Sequence, residues 1–462
     1  MNQEFWAKSP SNKGYLKNVE VLAYNDLDGG SFFQTALYKT KEGEYYLYGT
    51  MNQQVGIVDV TDPKKPRFIK RFQSIDIKKY PTTRNLKIQV ANGLMITALC
   101  SGGGPYIPGM PKEPVLMDPS RCQQGLYIFD IKGDPEDPKF LGYWDCGVPN
   151  SWGVHRFMYD GGQYVHVPAE TRGFEGAIYR CVDISDPANP VEVSRWWWPD
   201  QYVDGYIGRT YNPSDYHNPA FMAKAWLHGP PFVRGDKIYC GYGGAGLVIL
   251  DIGDVTRPHI IGHLPLCPPF GSYYGGARTH TAVPLPGRDL VVVTNEGERY
   301  SWFVPNNNPN IEGKRIGKMA QALNNIHMVD VSDPTMPTLI AEFPYPEVPE
   351  NFPYKNFQQL GLGVNGPFGP HNLHEPMPGK NWLDLRGDRV YCAYFHAGLR
   401  VYDVSDEFVP KEIAYFIPPN PIRPSPLPGP NIACAEDLVV DERGIIYLNT
   451  NNDGLYILRA LC

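Results

Sequence analysis

The sequence predicts an all-β protein, a seven-bladed β-propeller, and three observations lead to this fold class. Gly (47) and Pro (46) make up about a fifth of the 462 residues while hydrophobic residues still reach 42%, a composition typical of many short strands joined by many turns. A short phrase recurs along the whole chain. The segments between its copies have the pattern of strands connected by hairpins.

The recurring phrase is a run of aliphatic residues that ends in Asp and, in most copies, enters a turn containing Pro. Its copies span residues 55–63, 125–131, 181–187, 246–252, 326–334, 398–406 and, in a weaker form, 454–459. Each copy reads as a strand. Another β run, such as 237–240, stands before it and is itself preceded by a tight turn, such as 234–236. Four strands per unit and seven units predict a seven-bladed ring.

The last unit lacks a fourth strand, because the chain stops at Cys462 soon after the seventh copy of the phrase. Residues 18–24 read like the outer strands of other units and precede the first complete blade. We expect this segment to pair with the blade at 436–459 and close the ring, since closure removes the open strand edges that favour aggregation. Residues 1–462 are then expected to form a single domain.

The repeated Val/Ile-Asp-Val/Ile-Ser-Asp-Pro phrase resembles the LVIVD-repeat family of β-propellers, and the resemblance covers nearly the whole chain. It implies the propeller fold. It implies no particular substrate, because a fold of this kind hosts many functions. The Asp before the last aliphatic residue, as in Asp59 or Asp330, is expected to cap the following turn through backbone hydrogen bonds.

The chain has more residues than seven blades need. It supplies about 66 per blade, whereas a four-stranded blade needs about 40–45. The surplus lies mainly in long connections at 102–122, 196–227, 264–279, 297–325, 344–370 and 416–433. In an up-and-down blade these connections emerge on one face, which we call the looped face. Long loops on a rigid scaffold commonly serve binding or catalysis, although loop drift or an assembly contact also explains them.

Four His stand near the start of the first strand in neighbouring blades. His155, His228 and His280 lie six or seven residues before the Gly of the following turn, and His371 reaches the same depth if the sixth blade carries an insertion. In the seventh blade the same count gives Asp437. Because first strands line the central channel of a propeller, we expect the four imidazoles to converge near its axis.

A group of imidazoles suits Fe, Zn, Cu or Ni, so these four His are the predicted ligands of a transition metal ion, Fe(II) or Zn. A bound cation also relieves the repulsion between grouped, protonated imidazoles. The alternative is that duplicated blades have kept a His that only bonds to a neighbouring backbone carbonyl. Asp437 shows that the position is not restricted to His.

Carboxylates and two further His complete the predicted catalytic set. Those expected to orient a ligating His through its other N–H are Glu170 and Glu296, which end second strands, and, less directly, Glu375 and Glu436. His374 is a candidate base or replacement ligand, and His396, at the end of a second strand on the looped face, is a candidate proton carrier.

The loops above the His are rich in aromatic residues, which predicts a concave, mainly apolar pocket for a small apolar or aromatic molecule. The residues expected to bind this molecule are Tyr106, Trp226, Tyr273, Tyr274 and Arg278. The last of them offers a counter-charge for a carboxylate or phenolate. Packing over strand ends is the alternative role for any one of the aromatic residues.

Charge, motifs and cysteine usage argue against several classes of function. The net charge of −7, without a basic cluster, argues against nucleic acid as a partner, and no apolar run approaches the ~18 residues of a membrane span. Gly-x-Ser-x-Gly, His-Glu-x-x-His and a Gly-rich phosphate loop are missing. With no visible signal peptide and nine scattered Cys, the sequence favours a cytoplasmic protein with free thiols. None of these patterns determines the oligomeric state.

Two functions of different classes fit these patterns. The first is a metal-dependent enzyme at the axial pocket, of the oxygenase or of the hydratase, lyase or hydrolase type. By analogy, carotenoid cleavage oxygenases hold Fe(II) with four His inside a seven-bladed propeller, but the present sequence shares only the His count with them. The second is a non-catalytic scaffold that binds a protein or peptide on the looped face.

Overall fold

Seven antiparallel β-sheets form a ring of blades around a central channel in the computed structural model of the protein. The structure describes residues 14–101, 121–147, 153–205, 224–266, 279–295, 325–352, 355–357, 368–421, 432–451 and 453–462. Regular structure within these ranges is β-strand, apart from short 3₁₀ helices at Leu27–Gly29 and Pro199–Gln201. The seven-bladed β-propeller that the repeats predict is therefore confirmed.

The chain enters through two strands that belong to the last two blades, β1 (Tyr15–Lys17) and β2 (Val19–Asn25). Blades 1 and 2 then follow the chain order, with their first strands at the channel. They comprise β3 (Thr35–Lys39), β4 (Tyr45–Met51), β5 (Gln54–Asp59) and β6 (Arg67–Phe72), then β7 (Thr83–Ala91), β8 (Leu94–Ser101), β9 (Gly125–Asp130) and β10 (Lys139–Asp145).

Blade 3 has three named strands, β11 (Tyr164–Ala169), β12 (Ile178–Asp183) and β13 (Val191–Trp196). Single bridges, Val154 to Ala169 and Met158 to His166, attach its inner segment. Blades 4 and 5 are again four-stranded. They comprise β14 (Phe232–Arg234), β15 (Lys237–Gly241), β16 (Leu247–Asp251) and β17 (His259–Leu264), then β18 (Thr279–Pro284), β19 (Leu290–Asn295), β20 (Ile326–Asp330) and β21 (Thr338–Glu342).

The last two blades contain the strands from both ends of the chain. Blade 6 comprises β22 (Arg389–Ala393), β23 (Leu399–Asp403), β24 (Lys411–Ile417) and, outermost, β1. Blade 7 comprises β25 (Ala435–Val440), β26 (Ile445–Thr450), β27 (Leu455–Ala460) and, outermost, β2.

Ring closure occurs as the missing strand predicts. β2 pairs antiparallel with β27, from Val19 opposite Ala460 to Asn25 opposite Leu455. β1, which was not predicted, adds to blade 6 by pairing Tyr15 with Ile417. Both ends of the chain are therefore tied to each other through backbone hydrogen bonds, and the outer edge of blade 7 is covered.

The Asp of the repeated phrase caps the turn that follows its strand. In six blades its Oδ1 accepts a hydrogen bond from the backbone N–H two residues further on, at 2.7 to 3.0 Å. The six residues are Asp59, Asp130, Asp183, Asp251, Asp330 and Asp403. Aliphatic residues just before them, such as Ile57 and Val58, are fully buried between blades. The phrase is thus a structural signature of the blade.

Residues 371–374 pair with β22 as the innermost segment of blade 6, and residues 375–384 then cross the channel. Trp382 donates to the carbonyl of Leu37 in blade 1, and Lys380 donates to Gln89 in blade 2. Gly379 packs against the backbone of Asp160, which precedes the second strand of blade 3. A Cβ at position 379 would stand 2.1 Å from the Asp160 carbonyl oxygen. These contacts lie towards the ends of the first strands, opposite the looped face. Residues 375–384 therefore close that end of the channel, and we call them the plug.

Two further properties concern the described ranges only. No helix there has the length and apolar character of a membrane span. The eight cysteines in those ranges are free thiols, of which seven are buried and Cys462 is exposed.

Candidate functional site

Four His, one from each of blades 3 to 6, lie side by side at the channel. The ring centroids of His155 and His228 are 5.0 Å apart, those of His228 and His280 are 4.3 Å apart, and those of His280 and His371 are 5.1 Å apart. We call these four residues the His row. The structure thus brings together the side chains that the sequence predicts as metal ligands.

A β-bulge directs His280 to the channel. The pairing of β18 with β19 shifts register between Thr279 and Thr281, which places His280 in the bulge. An extra residue in one strand turns the local side chains and is a common device next to functional sites. The side chain of His280 is consequently buried at the axis rather than between blades.

Blade 7 carries the same irregularity, with the register shift between Ala435 and Asp437. Glu436, not Asp437, is therefore the counterpart of His280. The count from the turn glycine is wrong by one residue here, because Gly444 lies one residue further from the end of its strand than Gly287 does. In blade 7 the carboxylate of Glu436 therefore takes the position that imidazoles occupy in the preceding blades.

The His row is partly closed off from solvent. His280 and His371 are buried, whereas His155 and His228 are half-buried. Burial lowers the pKa of His280 well below its usual range, and the neighbouring charges of His228 and Arg156 lower it further. His280 is therefore neutral at physiological pH, which is the form in which an imidazole binds metals or accepts and donates hydrogen bonds in one fixed tautomer.

The orientation of His371 is set by blade 7. Its Nδ1 lies 2.7 Å from the backbone carbonyl oxygen of Glu436, to which it donates, and 3.6 Å from the carboxylate Oε1 of the same residue. A backbone carbonyl or carboxylate behind the ring is the usual partner of a ligating His. Any ligation of a metal by His371 would accordingly use Nε2.

Aromatic rings flank the His row on both sides. Trp226 packs edge-on against His228 with centroids 5.1 Å apart. Phe395 stacks on His371 at 4.6 Å with an interplanar angle of 20°. Phe395 holds this position with a φ of 46°, in the left-handed region that non-Gly residues seldom adopt. The row therefore has apolar, aromatic walls.

A buried ion pair links the His row to the plug. Arg156, which directly follows His155 in the chain, donates to Glu375 Oε1 at 2.9 Å, and Gln89 donates to Glu375 Oε2 at 3.1 Å. The Lys380 ammonium donates in turn to Gln89. Polar side chains from three blades are thus joined across the axis beneath the row.

These polar groups border a narrow pocket inside the ring, with room for water-sized molecules. Gln34, Gln89, Glu375, Lys380 and Asp437 line it. Burial raises the pKa of Asp437 to about 7 and lowers the pKa of Lys380 to about 8. Both groups therefore titrate near neutral pH.

A metal site requires that the donor atoms of several side chains point at one position, which adjacent rings alone do not provide. Among the described residues, no three or more side chains of His, Cys, Asp or Glu have their donor atoms gathered as in a metal site. The four imidazoles are neighbours with different ring tilts, from 41° to 62° between adjacent pairs.

The other predicted catalytic residues within the described ranges lie outside the row. His374 Nε2 donates to the carbonyl of Asp384 at 2.7 Å, and its Nδ1 accepts from Val440 N–H at 3.2 Å. Both ring nitrogens are therefore used in hydrogen bonds where blades 6 and 7 meet. His396 donates to the carbonyl of Phe357 in an aromatic cluster. Glu170 is buried directly after β11. The candidates that fall outside the described residues are Tyr106, Tyr273, Tyr274, Arg278 and Glu296.

The sequence reasoning missed Arg156, Thr281 and Phe395. Arg156 and Thr281 each stand next to a His of the row in the sequence, and that adjacency is the only signal that points to them. Neither residue type is a metal ligand of choice, so the search for ligands passed over them. Phe395 has no sequence signal at all.

Comparisons with known proteins identify the repeat. A family model described as the LVIVD repeat matches residues 180–196, 232–264 and 320–343, so the chain contains LVIVD repeats, a propeller-associated sequence. No curated protein matches the sequence.

Solved structures with a similar course of the chain share little sequence with it. A protein from Lactobacillus plantarum is 11% identical, with 93% of this chain and 97% of that chain covered and a TM-score of 0.47. A streptogramin B lyase is 9% identical, with 97% and 98% covered and a TM-score of 0.46. Identities this low transfer no activity.

Proposed function

We propose that the protein is a metal-dependent enzyme that transforms a small apolar or aromatic metabolite at the His row. The observation that carries the proposal is the spacing of the four rings, 4.3 to 5.1 Å between adjacent centroids. Imidazoles that share one metal through nitrogens about 2.1 Å away have centroids about 4.5–5.2 Å apart at tetrahedral or octahedral angles. The spacings of 5.0 and 5.1 Å fall within this range and the 4.3 Å between His228 and His280 lies slightly below it, so the row is close to the arrangement of such a site.

The chemistry of the donor set favours Fe(II) or Zn over Mg or Ca, because neutral imidazoles dominate it. Three His suffice for a catalytic site, since an open position must remain for the substrate. Convergence on one ion requires rotation of the rings about their side-chain bonds, which the half-buried His155 and His228 permit. A bound ion of this kind acts as a Lewis acid or activates dioxygen.

The surroundings of the row support a small apolar or aromatic substrate. Trp226 packs against His228 and Phe395 against His371, and such aromatic walls bind flat apolar molecules with little loss of side-chain entropy. The plug closes the opposite end of the channel, so substrate and product would both use the looped face. Beneath the row, the buried Arg156 pairs with the partly buried Glu375 at 2.9 Å.

Metal titration tests the proposal. Protein purified without a His tag is stripped with a chelator and titrated with Co(II), whose visible spectrum reports imidazole ligation. We expect about one ion per chain in the wild type and in His259→Ala, a control that removes an imidazole on β17 outside the row. We expect a loss of at least about tenfold in affinity for His228→Ala. Equal binding by all three proteins, or no stoichiometric binding by the wild type, would overturn the proposal and favour a non-catalytic scaffold.

A further inference from the structure

The plug is attached to the ring in two different ways. Near both of its ends, backbone hydrogen bonds tie the chain to the ring, at His374 to blade 6 and at Trp382 to blade 7. Residues 375–380 between them hydrogen-bond to blades 2 and 3 through the side chains of Glu375 and Lys380. We call residues 375–380 the strap. Its seat on the ring therefore depends on buried polar and charged groups.

A carboxyl group of the ring borders the same water-sized pocket as the strap. Asp437 of β25 is 3% exposed and lines this pocket together with Glu375 and Lys380. Its Oδ2 accepts from the backbone N–H and the hydroxyl of Thr35 at 2.9 and 3.2 Å, whereas no residue in the described part of the chain donates to Oδ1. The strap and the ring thus each place one carboxyl group at this pocket.

The charge state of Asp437 changes the interaction between the strap and the ring. The pKa of Asp437 is raised to about 7, chiefly by burial and also by the Glu375 carboxylate, although Lys87 of β7 and Arg156 of blade 3 act to lower it. Below this value Asp437 is neutral and does not repel the strap. Above it, a second carboxylate stands at a pocket that already holds the carboxylate of Glu375, and like charges in a buried site disfavour one another.

Lys380 adds an opposite dependence at higher pH. Its ammonium group is buried and donates to Gln89. Burial lowers the pKa of Lys380 to about 8, although Glu375 and Asp160 act to raise it. The seated strap therefore favours the neutral amine, and the cost of burying the ammonium disappears above about pH 8. Between about pH 7 and 8 both Asp437 and Lys380 are charged, so the pocket then holds its largest number of buried charges.

We propose that residues 375–380 are a pH-dependent strap, which is seated firmly in mildly acidic solution and is loosest near neutral pH, where Asp437 is ionised beside Glu375. Asp437 binds its proton more tightly in the seated strap than in an open one, so raising the pH from 5 to about 7 favours opening. Lys380 releases its proton more readily in the seated strap, so a further rise from about 8 to 9 favours seating again. Opening admits solvent to the lower end of the channel, beneath the His row. The proposal holds whether or not the row binds a metal.

Hydrogen exchange followed by mass spectrometry tests the proposal on the intact protein at pH 5, 7.5 and 9. After correction for intrinsic exchange, we expect the strap amides to be least protected at pH 7.5, by at least about tenfold relative to pH 5 and about fivefold relative to pH 9. At pH 7.5 we also expect them to be less protected than the amides of β15 in blade 4, because the strap opens without unfolding of the ring. Strap protection that is independent of pH, or equal to that of β15 throughout, would overturn the proposal.

Variants assign the two parts of this pH profile to their groups. Asp437→Asn can still accept from Thr35 but cannot ionise, so we expect its strap protection to change by less than about twofold between pH 5 and 7.5. Lys380→Met should abolish the recovery between pH 7.5 and 9. Asp204→Asn, at an exposed position outside the pocket, is the control and should keep the wild-type profile. A decrease between pH 5 and 7.5 that persists unchanged in Asp437→Asn would overturn the proposal.

Discussion

The imidazoles of His228 and His280, which come from different blades, lie with their ring centroids 4.3 Å apart. This is the shortest spacing in the His row. Two rings at this distance and with an angle of 41° between their planes are in contact without stacking. Such contact between two basic groups is unfavourable when both are protonated, and a shared cation or neutral rings avoid this repulsion.

Metal binding should therefore stabilise the fold. We expect a saturating transition metal to raise the melting temperature of the wild type, because a ligand present at about 100 times its Kd adds about 2.7 kcal/mol to the free energy of unfolding. His228→Ala should show no such increase, while its metal-free form should melt within a few degrees of the metal-free wild type. Scanning calorimetry with and without the metal measures both. An equal increase in the variant would place the ion elsewhere.

The closing strand should be essential for the ring. Deleting residues 1–25 removes β2, which covers the edge of β27 along its whole length. We expect this deletion to lower the melting temperature by more than about 10 °C or to abolish folding, since an open blade loses both ladder hydrogen bonds and buried apolar area.

Deleting residues 1–17 is the matched control, because of the described strands it removes β1 from the outside of blade 6 and leaves β2 in place. We expect a much smaller shift in melting temperature. Circular dichroism thermal scans of both deletions decide the point. If the two deletions behave alike, β2 does not close the ring in solution.

The buried carboxyl of Asp437 should make stability depend on pH. Its pKa is raised from 3.8 to about 7, chiefly by burial, and Lys87, Glu375 and Arg156 also act on it. Between these two values the folded state binds more protons than the unfolded state, so the free energy of unfolding falls as the pH rises. The full effect is at most about 4 kcal/mol and is reached above pH 7.

Asp437→Asn should remove this dependence, because the amide oxygen can still accept from Thr35 N–H, which lies 2.9 Å from Asp437 Oδ2. We expect the difference in unfolding free energy, variant minus wild type, to be larger at pH 8 than at pH 4. Urea unfolding at the two pH values measures the difference, with the exposed Asp204→Asn as control. A wild-type slope that persists in Asp437→Asn would assign it to other groups.

The repeated Asp should contribute to each blade through its turn. Asp330 Oδ1 accepts from Ser332 N–H at 2.8 Å. We expect Asp330→Ala to cost about 1 kcal/mol of unfolding free energy, and Asp330→Asn to cost less because its amide oxygen keeps the bond. Urea denaturation of the two variants compares them. If both lose the same amount, the charge and not the hydrogen bond matters at this turn.

Part of the site could be predicted because it repeats with the blades. The distance of six or seven residues from the turn glycine, a local property of the chain, predicts His155, His228 and His280, and an assumed insertion in the sixth blade adds His371. The same count failed at Asp437, since the position of a glycine within its turn and a bulge in a strand are not visible in the pattern.

The sequence by itself determined the fold: the repeated Asp phrase and its turns specify strands locally, and seven copies with one missing outer strand imply a ring closed by the N-terminal strand. Only the tertiary structure decided the order and spacing of the imidazoles, the plug formed by residues 375–384, and the contacts of Arg156 with Thr281 and Glu375. Arg156 meets Thr281 across 125 positions of the chain and Glu375 across 219. Contacts of this kind depend on how blades face each other across the axis, and no local pattern of residue types encodes that geometry.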